Sequence, residues 1–482
     1  MKSTFSILFI LVTLFVNAQE KPNIILIMAD DLGWADTGFN GNRIIKTPNL
    51  DQMVAEGVKF NRFYAASAVC SPTRASVLTG RNPYRTGVFN ANKGILRPEE
   101  ITIPELLKTT GYTTGHFGKW HLGTLTHLEK DANRGEPGNL IEYNPPALHG
   151  YDVAFVTESK VPTYDPMKRP KERFKKQGWD YLKKEEDYKP FGTYYWDING
   201  NKINDNLEGD DSRVIMDRFL PFIDKATSDK NPFLAVVWFH TPHMPCVAGP
   251  KYQEQYKEQN SLMRNYAGSI TAMDSQIGRL RAYLKELEVN ENTMIWFCSD
   301  NGPENGNPGS AGIYRERKRS LYEGGVRVPG VMVWPKVITK AFETDIPCVT
   351  SDYLPTIMDV LNIKQTKVNN KLDGVSLLSL LKGKMSKRPK PIGFCYGNQA
   401  SWSDSQYKLY ARNDKFELYN LIKDPKEENN ILLGNIKLTR EMKNSLLEFI
   451  ASCRSSFEGI EYGTISFEKL NQKWKTPLNL KK

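Results

Sequence analysis

The chain has no Cys-x-x-Cys pair, no internal repeat, no low-complexity tract and, beyond Val16, no apolar run long enough to cross a bilayer. Each absence excludes something. Six cysteines (Cys70, Cys246, Cys298, Cys348, Cys395 and Cys453) scattered over 482 residues do not build a disulfide scaffold, and none has zinc-finger spacing. No helix-turn-helix or other nucleic-acid motif accompanies the net charge of +10, so charge alone is a weak argument for nucleic acid. A mildly basic surface favours anionic partners of some kind. No nucleic-acid partner and no membrane span are expected.

What is present begins with an address. Lys2, the apolar residues 5–16 and the small Ala18 read as a signal peptide over residues 1–18, with no cysteine at the cut to carry a lipid. Export to the periplasm or the medium is expected, and the loss of Lys2 leaves a charge of +9.

The remaining length suits one large domain and a smaller one. Residues 23–28 are a continuous apolar run, the pattern of a strand buried on both faces. Residues 59–65, 232–239, 294–298 and 327–334 read as further strands, the last broken by Pro329-Gly330, and residues 111–123 as a strand running into a glycine-punctuated loop. Helices are expected over 48–57, 103–109, 212–226 and 261–288. The last has Tyr266, Ile270, Met273, Ile277, Leu280, Leu284 and Leu287 on one stripe. Strands alternating with helices predict an α/β fold with a large, mostly parallel central sheet flanked by helices. Residues 130–215 read as a long insertion. A Lys/Pro/Arg-rich linker at 384–390 introduces a small C-terminal α+β subdomain with strands at 391–396, 407–412 and 416–418 and a helix at 438–452. The expected division is 1–18, 19–385 and 386–482.

The chain is organised around Cys70-Ser71-Pro72-Thr73-Arg74-Ala75-Ser76-Val77-Leu78-Thr79-Gly80-Arg81. Ser71 as N-cap, Pro72 at the first helical position and Gly80 at the end predict a short helix with a thiol at its mouth. Backbone N–H groups and the positive dipole end there favour an anion. Other polar groups follow strand ends: Asp30-Asp31 after residues 23–28, Asp300-Asn301 after 294–298, and His240 and His243 after 232–239. Loops at the carboxyl edge of one sheet can converge. Three carboxylates and an amide suit a hard cation, Ca²⁺ or Mg²⁺, rather than zinc.

The Cys-x-Pro-x-Arg run, continued by Ala-Ser, two apolar residues and Thr-Gly-Arg, matches the signature of the type I, formylglycine-dependent sulfatases, and the chain resembles that family from about residue 21 to 385. Gly111-Tyr112-x-Thr114 with Gly118-Lys119-Trp120-His121-Leu122-Gly123 matches its second signature. His243, in Pro-His-x-Pro, matches a later histidine, and Lys318, before Glu323-Gly324-Gly325, a later lysine. The resemblance implies an alkaline-phosphatase-like sandwich. It implies that Cys70 is converted to formylglycine by a maturation enzyme, and that Asp30, Asp31, Asp300 and Asn301, with residue 70, hold one Ca²⁺. Lys119 and Lys318 would stabilise sulfuryl oxygens, His121 act as base, His243 protonate or steady the leaving oxygen, and Arg74 hold the nucleophile and neutralise the carboxylates.

The chain resembles bacterial polysaccharide sulfatases, which implies a sulfated carbohydrate substrate. Tyr143, Tyr151, Phe155, Tyr164, Trp179, Tyr181, Tyr194, Tyr195 and Trp196 are candidate sugar platforms or core residues. Lys160, Lys168, Arg169 and Lys171 are candidate contacts to neighbouring sulfates or carboxylates, and His149 a candidate subsite residue. Two rival readings stand beside this one: a phosphate or phosphonate ester hydrolase on the same scaffold, and an unoxidised protein that binds sulfated glycans.

Overall fold

The structure, a computed structural model, describes residues 21–172, 175–364, 371–462 and 473–478. The expected signal segment lies outside the described residues. Among the described residues no helix is long and apolar enough to cross a membrane.

A ten-stranded sheet forms the centre. In chain order its strands are β1 (Asn23–Ala29), β2 (Val58–Phe60), β3 (Thr113–Lys119), β4 (Val153–Thr157), β5 (Tyr195–Asp197), β6 (Lys202–Ile203), β7 (Phe233–Trp238), β8 (Thr293–Ser299), β9 (Gly330–Val333) and β10 (Phe342–Thr344). The spatial order is β10-β2-β9-β8-β1-β7-β3-β4-β5-β6. The middle five, β8-β1-β7-β3-β4, run parallel, while β9 pairs antiparallel with both β8 and β2, and β5 with both β4 and β6. The sheet is thus mixed, with its parallel part at the centre where both faces are covered.

The period-two geometry of a strand explains the two cores. From β1, Ile24, Leu26 and Met28 point to one face and pack with Val77 and Leu78 of helix α2 (Cys70–Thr79) and Leu354 and Ile357 of helix α5 (Tyr353–Val360). Ile25 and Ile27 point to the other face, where they join Met53 of α1 (Pro48–Glu56), Phe219 of α3 (Asp211–Ser228) and the stripe of α4 (Ser261–Glu286). Tyr266, Ile270, Met273, Ile277, Leu280 and Leu284 are all fully buried. At roughly 1.5–3 kcal/mol for each large apolar side chain, that stripe is enough to hold α4 on the sheet.

The C-terminal part is an antiparallel meander of β11 (Ile392–Tyr396), β12 (Gln399–Ser403), β13 (Tyr407–Arg412) and β14 (Lys415–Asn420), packed by α6 (Ile436–Phe457) through Met442, Leu446 and Cys453.

Several local expectations are corrected. Residues 59–65 are not one strand: the chain turns at Asn61-Arg62, and Phe63–Tyr64 joins a separate three-stranded sheet. Residues 130–215 are not wholly an insertion, because β4 completes the parallel centre beside β3. Strand β12 carries no sequence signal of its own, since Gln399 and three serines or alanines are buried there. Within 384–390, Arg388 is a buried anchor: its guanidinium meets both carboxylate oxygens of Asp352 at 2.7 and 2.8 Å.

The loop before Glu323 is tied to the meander. Arg315 donates to Tyr419 Oη and Glu427 O, Leu321 N–H to Gln399 Oε1, and Gln399 Nε2 to Arg319 O. Lys408 of β13 lies 2.9 Å from both Glu323 and Glu427, all three buried.

Candidate active site

Four neighbouring parallel strands end at the same edge. Asp30 and Asp31 follow β1, Lys119 ends β3 and His121 comes two residues later, His240 and His243 follow β7, and Asp300 and Asn301 follow β8. The backbone is drawn tight there: Asp30 N–H donates to Thr241 O, Asp300 N–H to Ala29 O, and Asp31, at φ 67°, donates its N–H to Asp300 Oδ1.

Helix α2 lies against this edge. It starts two residues earlier than capping chemistry suggests. Val69, in extended conformation, is the N-cap, and Cys70 is the first helical residue. Ser71 Oγ is buried without a hydrogen-bond partner among the described residues. Pro72 therefore sits third, which the helix tolerates because its first-turn N–H groups have no intrahelical acceptors. Gly80 closes the helix at φ 66°, as expected.

Arg74 Nη2 lies 2.6 Å from Asp300 Oδ2 and 3.7 Å from Asp30 Oδ1, and its guanidinium sits over the Trp238 ring. Lys119 Nζ is 2.7 Å from Asp30 Oδ2. Lys318 Nζ donates to both oxygens of Asp31 at 2.6 and 2.8 Å and lies 3.3 Å from Glu304. The cation run around Lys318 sorts cleanly, since Arg317 turns to the carbonyls of Glu304 and Gly309 and Arg319 to the Glu304 carboxylate. Asn301 Nδ2 donates to Asp31 Oδ1 at 2.7 Å.

Three buried carboxylates thus face three buried cations. Their effects on one another are uneven. Burial pushes Asp300 up to about 7, with Asp30 beside it adding to the rise and Arg74 opposing it. Burial also works against ionised Asp30, but Lys119, His243, Arg74 and Lys318 outweigh it and hold that carboxyl well below its usual range. Burial raises the Cys70 thiol, with Asp300 and Asp30 adding to the rise against Lys119 and Lys318.

The donor set fits a hard cation. Asp30 Oδ1 and Asn301 Oδ1 are buried acceptors with no hydrogen-bond partner among the described residues. Asp30, Cys70 and Asp300 each offer a ligand atom within 4.8 Å of the others, as do Asp30, Asp31 and His243. Orphaned acceptors of this kind cost stability unless something positive meets them.

Burial works against a charge on either histidine. His121, at φ 61°, has its Nε2 2.7 Å from Asn92 Oδ1, an acceptor, so the ring proton is on Nε2 and the buried Nδ1 is a lone pair without a partner among the described residues. Burial, helped by Lys119, Arg134 and Arg74, drives its pKa well below the ordinary value. His243 donates Nδ1–H to Met244 O and turns Nε2 toward Asp31 at 3.6 Å; burial brings it down to about 3.

The structure therefore gathers Asp30, Asp31, Cys70, Arg74, Lys119, His243, Asp300, Asn301 and Lys318 in one buried cluster, with His121 within electrostatic reach. His240 closes its strand instead, buried between Thr157 Oγ1 and Asp211 Oδ2. His149 is buried against Asn144 Oδ1 and lines no subsite. Tyr151, Phe155, Trp179, Tyr195 and Trp196 are core, not sugar platforms. Lys168 pairs with Glu185 and Arg169 meets Pro190 O, whereas half-buried Lys160 feels Lys119, Lys318, Asp31 and Asp30 and so borders the cluster. Asn92 and Glu304 were missed. Each reads locally as a turn residue, and only the fold brings it to His121 or Lys318.

Comparison with known proteins agrees with this geometry. The Sulfatase family model matches residues 22–363, and the model for the C-terminal part of N-sulphoglucosamine sulphohydrolase matches residues 309–452. N-acetylgalactosamine-6-sulfatase of Mus musculus is 31% identical over 404 residues, covering 78% of this chain and 69% of its own. A sulfatase of Formosa agariphila is 30% identical over 517 residues, covering 89% of each chain. The solved structure of Ps i-CgsB in complex with k-i-k-neocarrahexaose superposes with a TM-score of 0.76 at 25% identity, covering 94% of this chain and all of the other. With the strand-end cluster built around Cys70 and a match spanning the whole parallel core, the chain belongs to the sulfatase family and is a sulfuric ester hydrolase.

Proposed function

We propose that this protein is exported and hydrolyses sulfate esters on a sulfated polysaccharide or its oligosaccharides, using formylglycine made from Cys70 by a maturation enzyme and one Ca²⁺. The observation that carries the proposal is the pair of partnerless buried acceptors, Asp30 Oδ1 and Asn301 Oδ1, beside a cysteine at a helix mouth. The carbohydrate class is supported by the relative solved with a carrahexaose. Export is supported by the apolar residues 5–16 behind Lys2.

Asp30, Asp31, Asp300 and Asn301 would hold the Ca²⁺, with residue 70 adding an oxygen. The three carboxylates are already matched by Arg74, Lys119 and Lys318, so a dication leaves the cluster positive toward a sulfate monoanion. Formylglycine supplies, as its hydrate, one hydroxyl to attack sulfur and a second whose deprotonation releases sulfate.

The chain's own residues do the rest. Lys119 and Lys318 are fixed, desolvated cations for the sulfuryl oxygens, worth about 3–4 kcal/mol each by analogy with a single oxyanion donor. His121 has its Nδ1 lone pair free to accept a proton, with Asn92 fixing the tautomer. His243 can give a proton to the leaving alcohol only after Nε2 has taken one up, which Asp30 and Asp31 favour. Arg74 neutralises Asp300 and orients the first turn of α2.

The test is paired. Mass analysis of the peptide around residue 70 from the native host should show the oxidised residue, and turnover of aryl sulfate should exceed that of aryl phosphate. A thiol alone, or a strong phosphate preference, would overturn the proposal.

A further inference from the structure

A cavity of about 520 Å³ reaches His121 through Asn92 and is lined by residues from four separate parts of the chain. Asn90, Asn92 and Lys93 come from the loop after α2, Asn139 from the segment between β3 and β4, and Lys473 and Lys475 from the C-terminal segment. Two walls tie it to the chemistry. Asn92 lines the cavity and also accepts the His121 Nε2–H at 2.7 Å. Gly397 lines it too, and its neighbour Tyr396 lies within electrostatic reach of Lys318, Arg319 and Cys70.

The charge of the lining is one-sided. Lys93, Lys473 and Lys475 are exposed and form no ion pair among the described residues. Glu142, the cavity's carboxylate, is engaged by Asn139 Nδ2 and approaches Arg134. The C-terminal segment is held in place by its own packing. Trp474 meets Tyr84 and Phe89 edge-on, each at 5.8 Å, and Leu478 is buried in the same cluster. Three ammonium groups with no ion pair among the described residues, and three amides, around a space of ligand size suit a polyhydroxylated anion.

We infer that this cavity binds the sugar next to the one being desulfated, and that this neighbouring sugar carries its own anionic group, a sulfate or a carboxylate, held by Lys473 and Lys475. The inference rests on the polysaccharide reading above and narrows it: the substrate is an oligosaccharide with charge on adjacent residues, and the C-terminal segment is a specificity element.

The experiment uses the full, matured chain and calorimetric titration with four tetrasaccharides: carrageenan (sulfate only), hyaluronan (carboxylate only), heparin (both) and agarose (neutral). The wild type should bind at least one anionic tetrasaccharide more tightly than the agarose one. The double variant Lys473→Ala/Lys475→Ala should weaken that binding about tenfold while changing KM for 4-methylumbelliferyl sulfate, which carries no neighbouring sugar, less than about twofold. Selective loss for carrageenan or for hyaluronan tells which anion the lysines hold. Equal binding by variant and wild type, or no anionic tetrasaccharide bound by the wild type, overturns the inference. Failure of the parent reading looks different: aryl phosphate is then turned over in preference to aryl sulfate, whatever the titrations give.

Discussion

Arg74 and Asp300 form a wholly buried ion pair, 2.6 Å apart, between the first turns of a helix and the end of a central strand. Such a pair adds little net stability over an apolar substitute, but breaking it leaves one charge stranded. Arg74→Ala should therefore destabilise the fold by about 3–5 kcal/mol in urea unfolding and abolish turnover. Asp300→Asn/Arg74→Met, which removes both charges, should recover much of the stability and none of the activity. Equal stability of Arg74→Ala and wild type would refute the argument.

Cys70 is different, because it packs at a helix mouth without carrying a charge. Cys70→Ala should abolish aryl sulfate turnover and shift the unfolding free energy by only about 1 kcal/mol. Cys70→Ser should do the same, since a single hydroxyl lacks the second oxygen on which release depends. A cooperative melt of either variant near that of the wild type, with no turnover, is the expected pair of readings.

Calcium should act on the folded state. With free metal at about a hundred times its Kd, linkage predicts a gain of about 2.7 kcal/mol, visible as a rise in melting temperature that a chelator reverses. Asp30→Asn should shrink that rise. A melting temperature that ignores both calcium and chelator would count against the cation.

Asp131, outside the cluster of carboxylates and cations, supplies a pH dependence of its own. Burial pushes its carboxyl up to about 7, although Trp196 Nε1–H and Tyr194 N–H both donate to it. The folded state therefore binds its proton more tightly than the unfolded chain does. This contribution is fully present below the unfolded value of about 4 and is lost as pH rises toward 7. The wild type should lose stability between about pH 4 and 7 in urea unfolding, and Asp131→Asn should lose less. An identical pH slope in both would remove Asp131 from the account.

How much of this was readable in the chain depends on range. Continuous apolar runs made the strands around β1, β7 and β8 plain, and the polar residues just past their ends followed from strand direction alone. The start of α2 did not: Ser71 looked like a cap, but the extended backbone of Val69 took that place and left the serine hydroxyl inside. Strand β4 was hidden because five residues between lysine- and aromatic-rich stretches carry no period. Tyr195 is buried because β5 stacks it on Phe155, 4.1 Å between ring centroids, a pairing across 40 positions that no local pattern announces. Asn92 meets His121 for the same kind of reason.

The stitching of residues 315–323 to the meander has an architectural meaning. Lys318 hangs from a span whose far anchors, Tyr419, Glu427, Gln399 and Lys408, all belong to the last hundred or so residues of the protein. A truncation after α5 would keep every other member of the cluster and leave this lysine's tether unmoored, so the small sheet works as a buttress for the reaction centre rather than as an appendage to it.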